Sequence, residues 1–304
     1  EVARLNGYDH IPVTLPGSGV DSWLVPDTAE AVARIRNAMT AEGFSEVVNY
    51  SFVSPASWDQ IELADNDPRR CAVPLLNPLT EEQSLMRTTL VPSLLDVMAR
   101  NLSYRSRDLR LFELRPVFSP DNGGEGTPAS EKLHLCFALC GRRAPEGWAQ
   151  PNDMVDFFDL KGVVENLLDT FAIEKALFVS DGKEPFLHPG KSALLKSADR
   201  FLGFLGEVHP RVLGHFDIEV PVLLCEIELP AFLAAPMRSR KFQALSRFPN
   251  VQRDTAFVVD SEVSAQEVMT TINEVGSHYM EESVLFDLYC GKGIPEGKKS
   301  MAVR

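Results

Sequence analysis

The 304-residue sequence lacks any long apolar run: its longest stretches fall far short of the roughly 20 residues that a bilayer-crossing helix needs. Its start, Glu1-Val2-Ala3-Arg4, has no secretory apolar stretch, so a cytoplasmic protein with no membrane partner is expected. The five cysteines, Cys71, Cys136, Cys140, Cys225 and Cys290, form no Cys-x-x-Cys pair and have no histidine at metal-ligand spacing. That argues against a disulfide framework or a zinc site and fits a reducing compartment. Cys136 and Cys140 share one face of a predicted strand and read as small core residues. Positive charge is also short, at 30 Lys+Arg against 43 Asp+Glu, a net charge of −13. Such a balance argues against broad contact with a polyanion. The deficit is uneven, however. Residues 238–304 hold nine basic and nine acidic residues, so residues 1–237 carry all of the −13. Any RNA contact is expected near the C-terminal end, although solvated mixed charge also explains a neutral segment.

What the chain does have is apolar content, 44% of residues, enough for cores in about two domains. Residues 1–25 hold Gly7, Pro12, Pro16, Gly17 and Gly19 with little periodicity and read as the tail of a preceding unit plus a linker. Pro26-Asp27-Thr28 can start a helix that buries Ala31, Val32, Ile35, Ala38 and Met39 and stops at Gly43. A strand over Glu46–Val53 follows, closed by Pro55. A second helix is expected from about Pro92 to Leu102, and a third over Asp159–Phe171. Strands are expected at Asp108–Phe118, Lys132–Cys140 and Val222–Leu229, with a hairpin joining Ser192–Ser197 to Phe201–Val208. This irregular mixture indicates an α+β fold with a largely antiparallel sheet. Residues 230–245 read as a linker.

Beyond the linker the order is strand (Thr255–Val259), helix (Ser264–Val275), strand (Ser283–Tyr289), a Gly/Lys-rich loop and a strand just begun at Ser300. Ser264 and Glu267 have capping-box spacing. This β-α-β-β order is the first two-thirds of a ferredoxin-like unit, with the last helix and strand missing, so the sequence is expected to be a piece of a longer protein. The loop Gly291–Ser300 is not a phosphate loop. It is one residue too long, Lys299 stands where Ser or Thr belongs, and a strand follows in place of a helix. His188-Pro189-Gly190 has no nucleophile or acid beside it and reads as a turn histidine. Asp156 and Asp159 with Lys161 read as a charge cluster at a helix start.

Four collinear segments resemble the β subunit of bacterial phenylalanine–tRNA ligase. They are Gly43-Phe44-Ser45-Glu46-Val47-Val48-Asn49-Tyr50-Ser51-Phe52, Leu76-Asn77-Pro78-Leu79 with Met86-Arg87-Thr88, Asp156-Phe157-Phe158-Asp159-Leu160-Lys161-Gly162, and Leu187-His188-Pro189-Gly190-Lys191-Ser192-Ala193. The run from Ser246 is similar to that family's ferredoxin-fold anticodon-binding domain. The resemblance implies a class II synthetase-like domain over 26–237 that has lost catalysis, and a truncated anticodon-binding domain over 238–304. The partners it implies are a catalytic α subunit, in an assembly of two α and two β chains, and tRNA.

The class II comparison also says what is gone. A class II strand ends in Phe-Arg-x-Glu, whose arginine grips the α-phosphate of ATP. Here Leu111-Phe112-Glu113-Leu114-Arg115-Pro116-Val117-Phe118 runs into Ser119, and serine cannot replace a bidentate cation. The later Gly-x-Gly-x-Gly-x-x-Arg element has no counterpart, since Gly203-Phe204-Leu205-Gly206-Glu207-Val208-His209-Pro210-Arg211 is spaced differently. ATP and Mg²⁺ are therefore expected in the parent complex and not tightly on this chain. Glu1 matches one of several family Mg²⁺ carboxylates whose companions lie upstream, so that site is expected to be incomplete. The candidate tRNA contacts are Arg247, Arg253, Lys292, Lys298 and Lys299; for Arg253 an ion pair with Asp254 or Asp260 is the competing reading. Two other readings stay open: a free-standing RNA-binding protein, and an active class II-type ligase.

Overall fold

A computed structural model describes residues 1–12, 27–120, 129–149, 151–174, 176–180, 182–239, 242, 249–276 and 280–304. They fall into two units, Glu1–Arg240 and Lys241–Arg304. The elements of the first unit are α1 (Val2–Asn6), α2 (Asp27–Ala41), β1 (Ser45–Glu46), β2 (Phe52–Val53), α3 (Ala56–Gln60), β3 (Leu85–Met86) and α4 (Val91–Ser103). They continue with β4 (Leu109–Ser119), β5 (Ser130–Cys140), α5 (Phe157–Thr170), β6 (Ala176–Val179), β7 (Leu187–Ser197), β8 (Arg200–Val208), α6 (Pro210–His215), β9 (Leu223–Glu228) and α7 (Leu229–Leu233).

Seven strands form one sheet in the order β1-β4-β5-β9-β8-β7-β6, and only the β1–β4 pairing is parallel. Each long strand alternates its side chains between two cores, because successive Cβ atoms point to opposite faces. Phe112, Leu114, Leu135, Phe137 and Leu139 join Ile35 and Met39 of α2 and Leu160, Val164 and Leu167 of α5 in one core. Leu109, Leu111, Cys136, Ala138 and Cys140 face the other way and pack with Leu94, Leu95 and Met98 of α4.

Helix starts follow local chemistry. Asp156 caps α5 by accepting from the Phe158 and Asp159 backbone N–H groups, and Asp159 answers through the Asp156 N–H at 2.7 Å, a capping box. Arg143 then bridges Asp153, Asp156 and Asp159. Gly203 marks a close approach on β8: a Cβ there would lie 2.2 Å from the Glu226 carbonyl oxygen.

Three expectations need correction. The strand expected over Glu46–Val53 exists only as β1 and β2, because the intervening backbone leaves the sheet to donate to a buried carboxylate described below. The linker expected at 230–245 begins inside the first unit: Leu229 and Phe232 of α7 are buried, Phe232 packs edge-on against Phe171 at 5.4 Å, and Met237 bridges to Ile173. Pro230 does not break that helix, because its first turn has no use for the missing N–H. The described part of residues 1–25 holds the exposed helix α1 and a short 3₁₀ turn, Tyr8–His10; residues 13–25 lie outside the description.

The second unit contains β10 (Thr255–Asp260), α8 (Ala265–Val275), β11 (Leu285–Tyr289) and β12 (Lys298–Val303) in a three-stranded antiparallel sheet of order β10-β12-β11. The strand expected as just begun is thus the six-residue central strand. Ser264 and Glu267 cap α8 reciprocally, as their spacing predicts.

Candidate functional site

Two carboxylates lie between apolar neighbours at the sheet centre, Glu113 in β4 and Glu226 in β9, and both register with Cys136 of β5 between them. Both are buried, and both are met by the chain segments that cover this face of the sheet. Glu113, 0% exposed, pairs with Arg87, 1% exposed, at 2.7 Å. Asn49 adds donations from its backbone N–H (3.3 Å) and side-chain amide (2.7 Å) to Glu113. Arg87 also donates to the carbonyls of Pro116 (3.1 Å) and Tyr50 (3.4 Å), while its buried Nη2 has no partner. Glu226 accepts from the Thr89 hydroxyl at 2.5 Å and lies 2.6 Å from His134 Nδ1. Burial pushes the Cys136 thiol well above its ordinary range, with the Glu226 charge adding to the effect.

The effect is to close this face. Both buried carboxylates are met by a group from Asn49, Arg87 or Thr89, so the segments before and after α3 are pinned onto the sheet centre. Ser119 ends β4 opposite Ser130, exposed, at the position read as the lost phosphate-gripping arginine. Serine at that place supplies no cation for a phosphate. Glu1 is 88% exposed and 3.7 Å from the Arg4 guanidinium, and no group of three metal-ligating side chains occurs among the described residues.

Around the closed face, apolar side chains point outward. Val48, Tyr50 and Phe52 are exposed, and Leu76 and Leu79 are 98% and 94% exposed.

Residues 11–229 match the family described as the phenylalanyl tRNA synthetase beta chain CLM domain. The chain belongs to that family. Residues 246–304 match the ferredoxin-fold anticodon binding domain. The phenylalanine–tRNA ligase β subunit of Syntrophotalea carbinolica is 53% identical over 304 residues, all of this chain and 38% of that protein. The corresponding subunit of Geobacter sulfurreducens is 45% identical over the same span, again 38% of its length. The chain thus spans well under half the length of these relatives. Among solved structures, the pyrrolysyl-tRNA synthetase of Desulfitobacterium hafniense aligns over 68% of each chain with a TM-score of 0.53 and 15% identity, a likeness of fold alone. The fold is α+β, class II synthetase-like in its large sheet and ferredoxin-like in its second unit.

The structure places the expected tRNA contacts at more than one point of the second unit. Lys298 pairs with Asp260 at 3.1 Å, and Lys299 donates to the Ser261 carbonyl at 2.8 Å, so both hold the end of the β10–β12 ladder. Arg253 lies beyond the other end of β10, roughly 20 Å away along the strand. Its expected partners are taken: Asp254 holds Arg304 through two bonds of 2.8 and 2.9 Å, and Asp260 holds Lys298. Arg253 itself makes no ion pair among the described residues, and its side chain is exposed. Lys292 is exposed in the loop, its carbonyl accepting from Tyr289. Arg247 lies outside the described residues. His188, expected in a turn, lies in β7 at the register irregularity between Leu187 and Ser192, and its Nδ1 accepts the Gly190 N–H. Sequence reasoning gave no role to the Arg87–Glu113 and Glu226–Thr89–His134 groups. The available signal was a carboxylate flanked directly by apolar residues inside a predicted strand, Phe112-Glu113-Leu114 and Cys225-Glu226-Ile227.

Proposed function

We propose that this chain is a non-catalytic part of the β subunit of phenylalanine–tRNA ligase, which joins phenylalanine to its tRNA using ATP. In this reading the chemistry, with its ATP and Mg²⁺, belongs to the α subunit. The class II-like unit scaffolds that subunit in an assembly of two α and two β chains, and the ferredoxin-like unit adds tRNA affinity. The observation that carries the reading is the sheet face: Arg87 is spent on Glu113, Glu226 is met by Thr89 and His134, and Ser119 stands where the phosphate-gripping arginine is expected. The exposed apolar residues on 48–52 and 76–79 supply a surface of the kind that a protein partner covers.

The test uses the β subunit containing this chain, alone and co-purified with the α subunit. Phenylalanine-dependent ATP–pyrophosphate exchange is expected only in the complex. Exchange by the β subunit alone overturns the non-catalytic assignment, and failure to co-purify overturns the scaffold.

A further inference from the structure

The end of α4 concentrates positive charge in an otherwise acidic unit. Residues 100–107 hold Arg100, Arg105 and Arg107, with Tyr104 among them and no carboxylate. All four side chains are exposed, Tyr104 at 80%. Elsewhere in the unit, arginines such as Arg36, Arg69, Arg70, Arg142 and Arg143 are tied to carboxylates. Arg100, Arg105 and Arg107 make no ion pair among the described residues. Asp96 acts on Arg100 only at longer range, and Asp108 is held by Arg142.

The patch is also held rigidly. Tyr104 N–H donates to the Arg100 and Asn101 carbonyls, Arg105 N–H to Leu102 and Ser106 N–H to Asn101, closing the helix end. The Arg107 carbonyl accepts from Cys140 at 3.7 Å and leaves room only for glycine at 141, where a Cβ would lie 2.4 Å away. Arg105 sits at φ 68, left-handed, where glycine is the unstrained choice. Cations do complement a helix C-terminus, but that effect needs no arginine at the strained position.

We propose that Arg100, Arg105 and Arg107, with Tyr104, form an RNA-backbone contact on the class II-like unit, separate from the ferredoxin-like module. The ligand chemistry is a run of phosphates with an aromatic platform beside it. This rests on the proposed ligase-subunit function, which supplies tRNA as the polyanion.

The experiment measures binding of an unacylated tRNA transcript to the assembled α–β complex, from about 0.05 to 0.3 M salt, for wild type, Arg105→Gly and the triple variant Arg100→Gln/Arg105→Gly/Arg107→Gln. The slope of log affinity against log salt should fall by about one for Arg105→Gly and about three for the triple variant, roughly one per arginine. Because glycine relieves the left-handed strain, Arg105→Gly should at the same time raise the melting temperature, which separates lost contact from lost folding. An unchanged slope in variants that still bind tRNA overturns this contact and leaves the ligase reading standing. A wild-type complex that binds no tRNA overturns both. A triple variant that loses the α subunit while its assembled fraction keeps the wild-type slope makes the patch a protein interface and overturns the RNA assignment.

Discussion

Replacing Glu113 with leucine tests whether the buried charge network holds the covering segments on the sheet. The structure sets the size of the effect. Glu113 and Arg87 are 0% and 1% exposed, so Glu113→Leu leaves a guanidinium buried beside a leucine and strands both Asn49 donors. Removing one partner of a buried pair costs about 3–5 kcal/mol. For a unit of this size that lowers the melting temperature by about 6–20 °C. Arg87→Met should cost a similar amount by leaving the carboxylate uncompensated. The double variant should cost much less than the two single costs together, by about 3 kcal/mol or more, since neither charge is then orphaned and the unpartnered Arg87 Nη2 is gone. The assay is urea unfolding of wild type, both single variants and the double variant. Additive costs, or a Glu113→Leu cost under about 1 kcal/mol, would refute the argument that these residues hold the covering segments through mutual charge compensation.

Other outcomes follow from single features. Burial alone would raise the Asp159 carboxyl, but the Arg143 bond, the Asp156 N–H and the charges of Arg143 and Arg110 hold it below its ordinary 3.8. Its stabilisation is therefore present above that value and is lost as pH falls through the lower folded value. Asp159→Asn should flatten the acid limb of a stability–pH curve in this window and cost about 1 kcal/mol near neutral pH through the weakened cap. Gly203→Ala should destabilise by about 1–3 kcal/mol in thermal melts, because its methyl meets the fixed Glu226 carbonyl. In native thiol labelling, exposed Cys71 and Cys290 should react, whereas Cys136, Cys140 and Cys225 should need denaturant. Burial raises the Cys140 thiol to about 11 and holds those of Cys136 and Cys225 well above the ordinary thiol range.

Much of this chain was legible from local rules. Helices α2, α4, α5 and α8 announced themselves by apolar spacing and by capping residues, which act within one turn and so are visible in a short window. Strand β4 was equally plain. The segment after Phe44 was not, because a distant carboxylate at 113 pulls Asn49 off the sheet. Helix α7 was missed because an Ala/Pro-rich stretch looks like linker until the pocket that takes Phe232 exists. Lys298 and Lys299 looked like free cations only while Asp260 and the Ser261 carbonyl were not yet beside them.

The sequence by itself determined most of the long elements, the α+β class and, through collinear motifs, the family, since each of these is encoded in near-neighbour patterns. Only the tertiary structure decided which charges are free. Arg87 and Arg105 are both single arginines in the sequence, yet one is buried on Glu113 and the other stands exposed without an ion-pair partner. That difference depends on which residues, tens of positions apart, the sheet and its covering segments bring within hydrogen-bond reach, and no local pattern records it.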